Sequence, residues 1–362
     1  MITFEKFFEN TMPVQESAPG RVNLLGEHTD YNDGFVLPIA TPMRTTVTVA
    51  PSWDDDFYIY SEQMADQVLL PRCGHLASGF GRYIEGCIRM LEQCGHEVPP
   101  MRIHVRSDVP LGAGLSSSAA LEVATLRALR TQLGLRLSDV EIAQLAQQAE
   151  IKFAGVQCGI MDQMASSLCD ETHMLFLDTR SLATQVLELP AGSEVLVIDS
   201  GVARTLAASK YNERRVECEA AAQALGLQSL RDVTDVESLS RLDQPQQRRA
   251  RHVVTENARV LRAAQNVSAA EFGRLMNASH ASLRDDYEVS IAELDVLCEL
   301  LRQTPHVHGA RLTGAGFGGA CVALCEQGAA AQAGASVIQA YNAAGRSGTV
   351  LMPSTQASGV SL

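Results

Sequence analysis

At 362 residues, 46% hydrophobic and 20% charged, the chain is long enough for two domains with cores of their own, and its composition is neither disordered nor membrane-like. Its formal net charge of -13 excludes broad nucleic-acid binding, which needs surplus Lys and Arg along a phosphate backbone. The only lysines are Lys6, Lys152 and Lys210, and none sits in a G-x-x-x-x-G-K-[ST] setting, so a Walker-type phosphate loop is excluded as well.

The opening MITFEKFFEN is short, amphipathic and acidic, unlike a secretory leader, and no run of about 18 apolar residues occurs. A cytoplasmic protein without a membrane span is expected. Pro19 to Pro38 follows, reading PGRVNLLGEHTDYNDGFVLP. It gathers Arg21, Asn23, Glu27, His28, Asp30, Asn32 and Asp33 among three glycines, and groups at this density need either water or a ligand over them. A hydrated loop and a binding site are both open on local composition.

Met101, Ile103 and Val105 alternate with Arg102, His104 and Arg106, which predicts a half-buried strand with His104 facing outward. After Pro110, GAGLSSSAALEVATLRALRTQLG places Ala119, Val123, Leu126 and Leu133 at helical spacing, with Gly134 as a stop. Gly112 and Gly114 let backbone N–H groups approach an anion, Ser116, Ser117 and Ser118 add hydroxyls, and the helix N-terminus aims partial positive charge at the same place. An ATP triphosphate fits such a loop without lysine. Ser138-Asp139-Val140-Glu141 reads as a capping box opening a second helix, with Ile142, Leu145 and Ala149 inward and an end near Gly155. Glu150, near its far end, reads from the pattern alone as part of a solvated face. It is nevertheless the first candidate carboxylate for a magnesium ion accompanying ATP. Asp162 is the second acidic candidate, and its apolar neighbours Ile160 and Met161 make it harder to dismiss as a surface charge.

Val195 to Ile198 reads as a short strand, and helix dominates from about Lys210 to Arg302, with the polar stretch Asp243 to Arg251 a possible loop. Gly309 to Leu324 repeats a strand, glycine loop and strand. The nine cysteines lack any C-x-x-C pair; Cys321 and Cys325 lie in an apolar run and read as small core residues rather than zinc ligands. The shift from glycine loops to helices places a domain boundary near 175, giving residues 1–175 and 176–362.

Three segments together resemble the GHMP kinase superfamily and, within it, the galactokinases: Gly20 to Pro38, Pro110 to Ala120 and Thr313 to Gly319. GIMDQ at Gly159 to Gln163, SKYNERR at Ser209 to Arg215 and SHASLRDDYEV at Ser279 to Val289 extend the likeness over nearly the whole chain. The resemblance implies an α+β fold of two domains, mixed β-sheets flanked by helices, with the active site between them. It implies Mg2+ and ATP, galactose as acceptor at its anomeric hydroxyl, and galactose 1-phosphate and ADP as products, the first committed step of the Leloir route. Asp162 would be the general base and Arg21 the group steadying the reacting oxygens. Glu27, His28, Asp30, Gly159 and Tyr211 match sugar-contacting positions, with His28 the weaker contact. Gly112, Gly114, Leu115 and Ser116 to Ser118 match the ATP loop, Phe80 the adenine side, and Ser117 and Glu150 the magnesium positions. Phe80 stands where relatives often carry Trp, and Arg82 replaces a small polar residue, which bears on nucleotide preference. The third motif, Gly314 to Gly319, is expected to shape the phosphate loop. A monomer is expected, with no nucleic acid or membrane as partner. Kinases of N-acetylgalactosamine or galacturonate are neighbouring readings. A non-catalytic galactose sensor is another, though silent relatives lack residues after the loop serines and Ser118-Ala119 is present here.

Overall fold

A computed structural model of the chain describes residues 4–9, 11–75, 79–203 and 207–353. Chain order begins with α1 (Phe4–Phe7), β1 (Val14–Asn23), β2 (Phe35–Val36), β3 (Pro38–Pro51), β4 (Asp56–Ser61), β5 (Asp66–Pro71), α2 (Gly81–Gln93), β6 (Met101–Ser107), α3 (Ser117–Leu133), α4 (Asp139–Ala149) and α5 (Met161–Leu168). It continues with β7 (His173–Asp178), β8 (Thr184–Glu188), β9 (Ser193–Asp199), α6 (Ala207–Ala224), α7 (Gln246–Ala263), α8 (Ala269–Asp285), α9 (Ala292–Gln303), β10 (Val307–Thr313), β11 (Ala320–Glu326), α10 (Ala330–Ala343) and β12 (Thr349–Met352).

These elements form two units of interleaved sequence, one made of residues 1–21, 40–110 and 116–169, the other of 22–39, 111–115 and 170 onward. The contiguous division at 175 expected from composition differs from this. Segment 22–39 is closed on itself by backbone bonds such as Leu24 N–H to Leu37 O at 3.1 Å, and it belongs with the carboxy-terminal residues.

The first unit is built on a five-stranded mixed sheet in the order β1-β3-β6-β4-β5, with β4 and β6 parallel and the β3/β6 and β4/β5 pairs antiparallel. Val47, Val49, Phe57, Ile59, Ile103 and Val105 turn one face of it onto the apolar faces of α2, α3 and α4. α3 stops at Gly134, whose φ of 63° supplies the left-handed cap that Gly adopts without strain. α4 starts on the expected capping box, with Ser138 and Glu141 satisfying each other's backbone N–H groups, and it widens into a π-turn over Glu150–Ala154.

The other face of this sheet corrects the reading of β6. Arg102 and His104 are buried, 1% and 6% exposed, rather than solvent-facing. Phe4, Phe7 and Phe8 pack their rings 5.0–6.3 Å from the His104 ring. Arg102 donates to Pro51 O and Phe7 O and lies 4.5 Å from the Trp53 ring centroid. A buried guanidinium is tolerated because its donors are met and its plane rests on an aromatic face.

The second unit holds a four-stranded sheet, β10-β11-β9-β12, and a three-stranded one, β2-β7-β8. Its core joins Leu196 and Ile198 of β9, Leu312 of β10 and Cys321, Ala323 and Cys325 of β11 to apolar residues of α6 to α10. The polar stretch 243–251 is not a loop throughout: α7 begins at Gln246. Arg249 is 2% exposed and binds Glu217 at 2.7 Å and Glu288 at 2.6 Å, so this charge, at least, is turned inward and paired.

Candidate active site

In the first unit the side chains expected to do chemistry converge on α5. The sequence enters this helix through buried Gly159 and Ile160, which sets Asp162 in its first turn. Arg21, 4% exposed at the end of the β1 portion in this unit, grips Asp162 Oδ1 with Nε at 2.8 Å and Nη2 at 2.6 Å. The Ser116 hydroxyl donates to Asp162 Oδ2 at 2.5 Å. Ser116 precedes α3 with φ 58°, an uncommon conformation for a residue bearing a Cβ, and it turns the hydroxyl toward the acid. Ser116, expected at the phosphate loop, thus also bonds its hydroxyl to Asp162.

A second group of acids lies beside it. Glu150 is 7% exposed, not solvated, because the π-turn carries it inward between α3 and α5. The Ser118 hydroxyl bonds to it, and Gln163 Nε2 donates to its Oε2 at 2.6 Å. Burial first, then the Asp162 carboxylate, raise the Glu150 pKa to about 7. Glu122, fully buried on α3, hydrogen-bonds to Glu150, and burial together with the Glu150 charge push it well above the usual carboxylate range. Glu122 therefore holds its proton more tightly, leaving Glu150 as the member that ionises. These bonds occupy the hydroxyls of Ser116 and Ser118 and leave that of Ser117, half-exposed at the first helical residue, outside both. Phe80 caps α2 and packs half-buried against the core.

Glu122 and Gln163 carry this arrangement and were not singled out from sequence. An acid between Leu121 and Val123, three residues from Ala119 and four from Leu126 on the inward face of α3, was the available signal for Glu122. Gln163 follows Asp162 directly and is fully buried.

The second unit carries the sugar-signature residues. Glu27 is 2% exposed, and its Oε1 accepts the Gly314 N–H at 2.6 Å, with the Thr313 hydroxyl at 3.1 Å and Arg311 Nη2 at 3.3 Å. The β10 end and the third glycine motif thus fix this carboxylate. His28 has φ 62° and both ring nitrogens in protein contacts, Nε2 toward Ala315 O at 3.3 Å and Nδ1 toward Tyr31 Oη at 2.9 Å. A carbonyl only accepts, so Nε2 carries the proton and Tyr31 donates to Nδ1. Tyr31 then accepts from Tyr287 at 2.7 Å, and Tyr287 from the Cys218 thiol at 3.1 Å, a directional chain of neutral groups. Burial, aided by His252, lowers the His28 pKa to about 3, and burial raises Cys218 to about 12. The Tyr211 ring, half-buried on α6, lies 5.3 Å from His28 and 5.2 Å from Tyr31. Asp30 opens a 3-10 turn, Asp30–Asn32, and its backbone carbonyl accepts the Thr179 hydroxyl at 3.1 Å. Gly112 and Gly114 adopt φ of 76° and 88°, and Leu115 is buried.

Comparison with known proteins gives these groups a lineage. Residues 82–170 match the GHMP kinases N terminal domain and 260–343 the GHMP kinases C terminal domain, so the class is that of ATP-dependent kinases of this fold. Residues 2–51 match the galactokinase galactose-binding signature. A galactokinase of Roseiflexus sp. (strain RS-1) is 44% identical over 347 residues, covering 92% of this chain and 89% of its own length. One of Thermotoga neapolitana is 43% identical over 316 residues, covering 86% of this chain and 89% of its own. The crystal structure of Lactococcus lactis galactokinase complexed with galactose superposes with a TM-score of 0.89 at 32% identity, covering 96% of this chain and 95% of that one. The Methanococcus jannaschii mevalonate kinase, at 17% identity and a TM-score of 0.67, shares the fold. The chain belongs to the galactokinase family and is an ATP-dependent sugar kinase.

Proposed function

We propose that the chain transfers the γ-phosphoryl group of ATP to the anomeric hydroxyl of α-D-galactose, giving galactose 1-phosphate and ADP, with Mg2+ accompanying the nucleotide. The observation that carries this reading is the grip of Arg21 and Ser116 on Asp162. It holds a carboxylate in one orientation, ready to accept the proton of an incoming hydroxyl, while the guanidinium supplies positive charge where negative charge collects during transfer. The transition state of phosphoryl transfer is loose, so orientation and charge matter more than early proton removal.

Glu27, His28, Asp30, Gly159 and Tyr211 are the residues we assign to the sugar. Their acceptors and donors suit hydroxyl reading, and a site of this kind penalises a sugar with one hydroxyl missing or inverted. His28 serves by holding the loop, since both its nitrogens are engaged by protein, and Tyr211 lies against its ring. Gly112, Gly114, Leu115 and the serines of 116–118 are assigned to the triphosphate, and Phe80 to the adenine.

The donor set fits a hard divalent ion: Glu150 and the Ser117 hydroxyl offer oxygen, and the Glu122–Glu150 pair carries acid that its neighbours do not neutralise. Among the described residues no cluster of three or more His, Cys, Asp and Glu is arranged for a metal. Glu150 and Ser117 would hold Mg2+ there, and the ion would supply positive charge against the charge developing during transfer. Gln163 and Ser118 orient the Glu150 carboxylate toward that role.

A steady-state screen of sugars with Mg-ATP tests the assignment. Galactose is expected to give the highest kcat/KM, and a preference for galacturonate or N-acetylgalactosamine overturns it.

A further inference from the structure

Helix α7 turns three side chains onto the backbone of the 26–35 segment, and none of them belongs to the site described above. Glu256 accepts the Gly26 N–H at 2.8 Å. His252 Nε2 donates to the Glu27 carbonyl at 3.0 Å. Asn257 Oδ1 accepts the Phe35 N–H at 3.0 Å. Positions 252 and 256 share one face of the helix and 257 adjoins it, and these residues are 0%, 0% and 7% exposed.

Glu256 is a costly way to meet one backbone N–H. A fully buried carboxylate needs compensation, and here Arg259 at 2.6 Å, Ser279 at 2.7 Å and Arg311 at 3.9 Å supply it. Arg311 reaches Glu27 as well, so the same buried cation joins the anchor of Gly26 to the carboxylate of the next residue. The clamp tolerates no added bulk. A Cβ on Gly26, where φ is 98°, would lie 2.4 Å from Phe35 O, and one on Gly34 would lie 2.4 Å from Asn257 Oδ1.

We propose that α7 is a positioning element for the sugar: His252, Glu256 and Asn257 set the backbone from which Glu27 and Asp30 project, and thereby set sugar affinity without touching the sugar. The inference rests on the reading of this segment as the galactose-binding side. Core filling alone requires none of these hydrogen bonds, whereas aiming two acidic side chains requires the backbone to be held at both ends.

The test pairs disruptive with conservative variants. Asn257→Ala and His252→Phe remove a bond while keeping the helix; Asn257→Asp keeps an acceptor and His252→Gln keeps a donor. Galactose Kd is measured by calorimetry without nucleotide, alongside KM for galactose, KM for ATP and Tm. The disruptive pair is expected to raise galactose Kd and KM about tenfold while KM for ATP stays within about twofold. The conservative pair is expected to recover most of that loss. Folded disruptive variants with unchanged galactose Kd, or with both KM values raised equally, overturn the proposal. Failure of the wild-type chain to bind galactose overturns the galactose reading and this inference with it; a galactose-binding wild type with unaffected variants overturns the inference alone.

Discussion

Both carboxylate oxygens of Asp162 are engaged by the first unit's own residues, Oδ1 by Arg21 and Oδ2 by Ser116. Each oxygen has two lone pairs, so the grip orients the acid and leaves capacity for one more proton donor. Replacing Asp162 by Asn keeps the shape and removes the base. We expect kcat to fall at least ~100-fold with galactose binding still measurable by calorimetry; near-normal kcat would sink the base assignment. The loop serines make a sharper test. With Ser116 turned to Asp162 and Ser118 to Glu150, Ser117→Ala is expected to raise the Mg2+ concentration for half-maximal rate about tenfold. A rise seen only in Ser118→Ala would move the ligand one residue along. Sequence made Asp162 conspicuous, because a charge flanked by apolar residues needs a reason, whereas Arg21 stood out from its polar neighbours only through the resemblance. Glu150 was a candidate for magnesium by its chemistry and by family resemblance, but its burial was not legible, since helical periodicity cannot foresee a π-turn that carries it inward.

At the scale of elements, the signals that came true were local ones. The capping box at Ser138 and the glycine stop of α3 are written in neighbouring residues, and both appear as expected. Ser138→Ala should cost about 1 kcal/mol in denaturant unfolding and leave both KM values unchanged. A larger loss would mean that α4 does more than carry Glu150 to its place. The readings that failed depended on what covers an element from afar. Alternation in β6 is real, but α1 and its phenylalanines close over the polar face, and nothing in residues 101–107 announces that. Likewise Arg249 looked like a solvent charge until Glu217 and Glu288, 32 and 39 residues away, arrived to pair with it.

For the molecule as a whole, buried titratable groups pull stability in both directions as pH falls. His28 and His252 in the second unit are buried and neutral, burial being the main cause of pKa values of about 3 and about 4. Both lie below the value near 6.5 of an unfolded histidine, so the unfolded chain takes protons first, and their stability contribution, complete above pH 6.5, is lost as pH falls. Glu256 follows at lower pH. Burial would raise it, but Arg259 and Arg311 outweigh that and hold it near 2, so its share is lost below about pH 4.5. Glu150 in the first unit runs the other way, its pKa of about 7 making folding easier as pH drops from 7 toward 4.5. His280, raised to about 9 against burial by Cys298 and Asp295, contributes below pH 6.5 and loses that share as pH rises through 9. Lowering the pH from 7.5 to 5.5 is therefore expected to take roughly 1 kcal/mol more unfolding free energy from the wild type than from His252→Gln. An equal pH response in both would show that His252 is not the buried neutral base described above.

The clamp on the sugar signature also sets a timetable. Gly26, Glu27 and Phe35 bond to residues 230, 225 and 222 positions further on. During synthesis at ~5–20 residues per second, those partners leave the ribosome roughly ten to forty-five seconds after the segment they anchor. Through that interval β1 has emerged, while the segment that continues it must wait for a helix not yet made.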